Sequence, residues 1–242
     1  MDEEFDVNML IAKCEDDSLP CRVELKRDSD LIKPFIDKFN NMKKINELDY
    51  DTFDLALKNG DIATIEEIVN KYNMYDDYIN FRALFEELRE ELINVGVDVG
   101  YIENYSPRTV NPDLTDEYLS FLKERDVKLF NSIDEELNRL EKEGKIFSKE
   151  DKVKYTNQML NGSFQNSIMS AGSSSTKERK IKKLTPEQNQ YYLSSIESIT
   201  KNVEQIRKSI LQRKGDLKMN NYFAEIPKIK YEGKMGESPE AD

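Results

Sequence analysis

Histidine is missing from this 242-residue sequence. Its absence excludes Ser–His–Asp and Cys–His catalysis and the histidine-based zinc sites. Cysteine occurs only at Cys14 and Cys21, too few for a four-thiolate metal site or a disulfide framework, and a reducing compartment is the plain reading. No stretch approaches 18 consecutive apolar residues, so no membrane-spanning helix is expected. The first ten residues, MDEEFDVNML, are acidic and lack a charged-then-apolar export pattern. Neither GxxxxGK[ST] nor GxGxxG occurs, which removes the common phosphate-cradling loops. Asp49, Asp51 and Asp54 have a superficial likeness to a calcium loop but lack its glycine and its closing glutamate; helix capping explains them better. Glu86, Glu87, Glu90 and Glu91 lie off the apolar stripe of their segment and read as a solvated face rather than a di-metal site. No carboxylate pair has a reason for perturbed acidity. No catalytic, cofactor-binding or metal-ligating residues are therefore assigned, and no enzyme is expected.

What is present is charge in helical arrangement. Charged residues make up 35% and apolar residues 38%, which suits thin helical layers better than a thick core. The charge is uneven. Residues 151–242 hold 16 basic and 11 acidic residues, a net of +5; the other 20 basic and 37 acidic residues leave residues 1–150 at −17. The acidic part should repel nucleic acid and anionic membranes.

Periodicity predicts an all-α protein: an irregular bundle of about eight helices with a long loop at about 161–183 and a flexible C-terminal tail. Residues 3–13 form a first short helix. After an irregular stretch, Asp28 or Ser29 caps a helix carrying Ile32, Phe35, Phe39 and Met42, starting late because Pro34 fits only a first turn. Residues 49–72 form a helical hairpin, with Asp49 or Asp51 as first cap, Asn59-Gly60 as stop and Asp61 as second cap. Its acidic second helix argues against DNA reading. Residues 77–94 carry the strongest stripe, with Tyr78, Phe81, Leu84, Phe85, Leu88 and Leu92. Further helices are expected at 115–124, at 129–143 with Gly144 as stop, and from the Ser148 cap to about Leu160. Thr185-Pro186-Glu187 starts a last long helix whose stripe ends at Ile210, before Gly215. Three regions result: an acidic helical region at 1–95, an elbow plus helical region at 96–214, and an extended or disordered tail at 215–242.

The elbow is the oddest segment. Gly96 and Gly100 let the chain leave a helix and reverse. Pro107 fixes its own backbone and extends Ser106. Tyr101 and Tyr105 offer apolar faces with polar tips, and Arg108 can stack on a ring or fork onto a carboxylate. Two readings stay open: a structural clamp between helical layers, or a ligand or partner site. The basic cluster TKERKIKK, residues 176–183, is a solvated linker, an internal docking segment, or a nucleic-acid contact through Lys180, Lys182 and Lys183.

GVDVGYIENYSPRTV, residues 96–110, resembles a Gly-Tyr-x-x-Asn-Tyr-aromatic-Pro-Arg motif of large polyvalent, virion-associated proteins of phages and mobile elements. Ser106 stands where that family commonly has the aromatic ring. The likeness continues in order through residues 134–160, through Lys177, Glu178 and Arg179 after a variable loop, and through Tyr191-Tyr192 with the helix that follows. It spans about residues 77–213, and the ALKNGD hairpin at 56–61 fits the region upstream. The resemblance implies a noncatalytic structural protein packaged in or attached to a virion, delivered with the genome in some cases. Other virion or phage proteins, or further copies of the chain, would be its partners, with the virion or the bacterial host cytoplasm as its location. It makes Tyr101, Tyr105, Pro107, Arg108, Lys177 and Arg179 the candidate interaction or clamp residues. Two alternatives remain at this level: a small acidic protein that binds and inhibits a host factor in the cytoplasm, and a nucleic-acid-binding module at residues 176–214.

Overall fold

The computed structural model describes residues 18–97, 104, 106–161 and 180–225. The helix expected at 3–13, most of the long loop and the end of the tail lie outside the described residues. Those described form an all-α fold of nine helices: α1 (Ser18–Ile45), α2 (Glu47–Asn59), α3 (Ile62–Lys71), α4 (Tyr75–Asn94), α5 (Thr115–Arg125), α6 (Val127–Lys142), α7 (Lys149–Asn161), the short α8 (Pro186–Asn189) and α9 (Ser195–Glu225).

The side chains of these helices gather into two apolar clusters. The larger is built by α1 to α4 and α9. Ile32, Phe35, Phe39 and Met42 of α1 meet Phe53 and Leu57 of α2, Phe81, Leu84 and Leu88 of α4, and Ile199, Val203, Ile206 and Ile210 of α9. Rings dominate its centre: Phe35 stacks on Phe81 with centroids 4.9 Å apart, and Phe53 stands edge-on to Phe39 at 4.9 Å. Edge and offset ring contacts of this kind add about 0.5–1.5 kcal/mol to area burial. The smaller cluster belongs to α5, α6 and α7 together with Val110, Ile181, Leu184 and Tyr192. The larger cluster is completed by α9, which returns to it from beyond the elbow.

Several local expectations are corrected. Pro34 lies inside α1, and Asp28 and Ser29 lie within the helix rather than capping it. An interior proline costs about 3 kcal/mol. Burial of Ile32 and Phe35 on either side of it, with Phe39 and Met42 beyond, outweighs that cost. The cap of α2 is Asn46, whose Oδ1 accepts from Asp49 N at 3.2 Å. Asp49 instead fastens the hairpin: its carboxylate accepts from Lys71 Nζ and Tyr72 Oη, both at 2.5 Å. Those hydrogen bonds, from Lys71 first and then Tyr72, hold the Asp49 carboxyl below its usual range. Gly60 adopts φ 64° and Asp61 caps α3, as the spacing predicts.

The last long helix starts later and ends later than expected. The Thr185 capping box opens only the four-residue α8. The chain then passes beside the elbow, where Asn111 N donates to Tyr191 O at 2.8 Å and Leu193 N to Thr109 O at 2.9 Å. Tyr191 and Tyr192 face Tyr118 of the smaller core, whereas the apolar stripe of α9 faces the larger one. One straight helix cannot serve both faces, so it breaks. A second capping box restarts it: Glu197 N donates to Ser194 Oγ and Ser194 N to Glu197 Oε2, each at 3.2 Å. From there α9 runs through Gly215 to Glu225, so the segment expected to be an extended tail is helical as far as residue 225.

A buried ionic tie fixes α9 against α1 and α4. Arg207, only 1% exposed, forks onto Asp28, with Nε to Oδ2 at 2.7 Å and Nη2 to Oδ1 at 3.1 Å. Its Nη1 reaches Glu91 Oε1 at 2.6 Å, and Lys214 Nζ holds Glu91 Oε2 at 2.6 Å. Glu91 is thus an inter-helix ligand rather than part of a solvated face. Arg82 and Glu86 do pair along α4 as their spacing predicts.

Candidate functional site

The elbow places Arg108 between the two cores. Tyr101 and Tyr105 lie outside the described residues, as do Lys177 and Arg179. Pro107 is buried, and Arg108 follows it at 4% exposure. Among the described residues the Arg108 guanidinium is engaged chiefly by carbonyl oxygens. Its Nε donates to Lys58 O at 2.6 Å, Nη1 to Ile181 O at 2.7 Å, and Nη2 to Lys182 O at 2.9 Å and Asn59 Oδ1 at 3.1 Å. One side chain thereby holds the C-terminal end of α2 to the segment that follows the long loop. Five donors in a rigid plane suit this task, because the carbonyls to be joined come from three separate residues.

Asn59 completes the joint. Its Nδ2 donates to Leu184 O at 2.9 Å, while its Oδ1 accepts from Leu184 N at 2.8 Å. Asn59 ends α2 under the Gly60 cap, whereas Leu184 packs in the smaller core. The amide therefore imitates a backbone ladder across the junction.

One helical turn earlier, Asp54 and Lys58 form a buried ion pair at 2.7 Å. Lys58 Nζ also donates to Asn189 Oδ1 at 2.8 Å, and Asn189 Nδ2 donates to Asp54 Oδ2 at 3.1 Å. The other carboxylate oxygen, Asp54 Oδ1, accepts from Ser195 N at 2.6 Å, placing a negative charge at the amino end of α9, where the helix dipole favours it. Burial pushes the Lys58 ammonium down from its ordinary range; Asp54 counteracts this, and the nearby Arg108 charge adds to it. Tyr118, beneath the joint in the smaller core, is raised by burial and by the neighbouring Tyr192 hydroxyl 3.4 Å away.

Chemically, this is a set of charges engaged with one another. Lys58, Asp54 and Arg108 are all nearly or fully buried, and the partners named above are fixed parts of the fold. Among the described residues no cluster of three or more His, Cys, Asp or Glu side chains is arranged to hold a metal ion, and no helix is long and apolar enough to cross a membrane.

The basic cluster divides in two. Ile181 and Leu184 are buried, and Lys180 Nζ donates to Ser132 Oγ at 2.8 Å. Lys182 and Lys183 are exposed, although the Lys182 carbonyl turns inward to Arg108. Further along the same region, Arg207 and Lys214 are tied into the ionic contact with α1 and α4.

Sequence reasoning singles out Pro107 and Arg108, assigns Asp54 to helix capping and Asn59 to a helix stop, and passes over Lys58, Asn189 and Ser195. Asp54 and Lys58 stand four apart, the spacing of a helical ion pair, which was the available signal for those two. In the sequence Asn59 is marked only as the residue before a stopping glycine. Its long-range role has no local signature.

Comparison with protein-family models, with curated proteins and with solved structures finds no match to this chain.

Proposed function

We propose that this chain is a noncatalytic structural protein of a phage or related mobile-element particle, acting through protein–protein contacts. The order of motifs from the elbow to Tyr191-Tyr192 supplies the setting. What supports a structural role is the fate of Arg108. The most reactive-looking residue of the elbow is consumed in joining two helical cores through main-chain carbonyls. A side chain recruited for a substrate or a nucleic acid needs donors directed outward, whereas these are directed at the protein's own carbonyl oxygens. The contacts with partners then fall to the charged outer faces of the helices.

A second reading draws on the net charge of −17 in residues 1–150. Glu66, Glu67, Asp76 and Glu90 are exposed on α3 and α4, and such a face suits a basic, nucleic-acid-binding surface of a host protein. Mass spectrometry of purified particles separates the two. Presence of the chain in particles supports the structural role; its restriction to the soluble fraction of infected cells favours the inhibitor.

A further inference from the structure

We propose that Asn59–Gly60 is a conditional deamidation site, closed while the two cores are joined and open when they part. The argument starts from covalent chemistry. When an asparagine precedes a glycine, the glycine nitrogen can attack the amide carbon with no Cβ in its way. A bond forms between Gly60 N and Asn59 Cγ, Nδ2 leaves as ammonia with the proton from Gly60 N, and a five-membered imide results. Water then adds to either imide carbonyl and opens the ring to aspartate or isoaspartate. Nothing is oxidised or reduced, and water is the only co-reactant.

In the folded protein three features oppose this attack. Gly60 N is turned back toward the helix and donates to Leu57 O at 3.2 Å. Asn59 is the last residue of α2, and helical backbone directs the following nitrogen away from the side-chain amide. The amide itself is held from both ends, with Nδ2 on Leu184 O at 2.9 Å and Oδ1 accepting from Leu184 N at 2.8 Å and Arg108 Nη2 at 3.1 Å. The first two features belong to α2. The third belongs to the junction, so the share of protection that the junction adds reports whether the cores are engaged.

Conversion would be irreversible and would damage the joint that prevented it. Aspartate at position 59 keeps an acceptor for Arg108 but removes the donor to Leu184 O. Isoaspartate also adds a methylene to the main chain at the cap where Gly60 sits at φ 64°. An opened junction would then be marked and would not re-form in its original geometry.

The test follows amide-to-acid conversion at Asn59 by peptide mapping and isoaspartate detection, using the full chain at neutral pH. Folded protein is expected to convert at least about tenfold more slowly than the same chain in denaturing urea, because only opened molecules react. Arg108→Lys, which loses the forked geometry, is expected to convert at an intermediate rate. In wild type, conversion is expected to rise with urea before the global transition begins. Equal rates for folded and unfolded chains overturn the proposal. So does a folded-state rate that stays flat until global unfolding, a comparison that holds even if the Arg108 variant does not fold.

Discussion

Truncation of Arg108 to alanine removes at least the hydrogen bonds to Lys58 O, Ile181 O, Lys182 O and Asn59 Oδ1 from a site 4% exposed. Hydrogen bonds from a charged donor contribute about 1.5–3 kcal/mol each, and a buried acceptor left without its donor costs about 1–3 kcal/mol. The sum is not the expected loss. Arg108 is itself desolvated in the native state, and that cost disappears with the side chain. Water also enters part of the vacated space. The balance is a loss of about 3–5 kcal/mol, a large fraction of the ~5–15 kcal/mol typical of a folded domain. Arg108→Lys places one compact donor group where a planar fork stood, and should lose about 2–3 kcal/mol. Arg139→Ala is the control. Arg139 lies on the surface of α6, paired with Glu136 and Glu143, and solvent screening leaves exposed pairs of this kind with little effect on stability. Urea unfolding followed by far-ultraviolet circular dichroism and tyrosine fluorescence measures all three. Because buried tyrosines sit in both cores, Tyr50 and Tyr78 in the larger and Tyr118 and Tyr192 in the smaller, the fluorescence transition in Arg108→Ala should also broaden, each core losing its tyrosine environment separately. A loss for Arg108→Ala within about 0.5 kcal/mol of the control, with coincident transitions, would refute the view that Arg108 joins the cores.

Other perturbations bear on separate parts of the fold. Asp28→Leu removes the forked partner of the buried Arg207, leaving Glu91 on Nη1, and should cost about 3 kcal/mol, whereas the double change Asp28→Leu with Arg207→Met should recover part of it, read as urea midpoints. Glu91 is pushed up by burial, but hydrogen bonds from Lys214 and Arg207 outweigh this and hold its carboxyl below the usual range. A carboxyl depressed in the native state contributes stability above its unfolded-state pKa, and that contribution is lost as pH falls through the native value. Wild-type stability should therefore fall from about pH 5 downward, and Glu91→Gln should fall less steeply over the same range in paired urea titrations. Ser194→Ala removes the cap that restarts α9 and should cost about 1 kcal/mol by thermal or urea unfolding.

The helices with strong stripes were legible before any coordinates. Tyr78 to Leu92 of α4 are buried in the pattern their spacing predicts, and the stops at Gly60 and Gly144 fall where glycine precedes a change of direction. Local rules failed where distant contacts outweighed them. Pro34 argues for a helix start only if nothing beyond it pulls the chain into one, and Asp28 resembles a cap until Arg207, 179 residues away, is seen to claim it. The break before α9 was signalled by Ser194-x-x-Glu197, a capping box inside an apparently continuous pattern. The tyrosines preceding it seemed to extend the stripe but belong to the other core. The extension through Gly215 is supported by the tie of Lys214 to Glu91 on α4, which no short-range pattern contains. In the candidate site, Arg108 stands out for its chemistry, whereas three of its acceptors are main-chain carbonyls that every residue possesses. Their convergence on one guanidinium is a property of the fold alone.

The proposed role, a structural component of a particle held in place through protein contacts, is tested most directly by quantitative mass spectrometry of particles purified by density gradient and then washed at high salt. The account predicts a fixed ratio of this chain to the major shell protein, unchanged by the wash and by nuclease treatment. Complete absence from washed particles while the chain remains abundant in the surrounding lysate would contradict it.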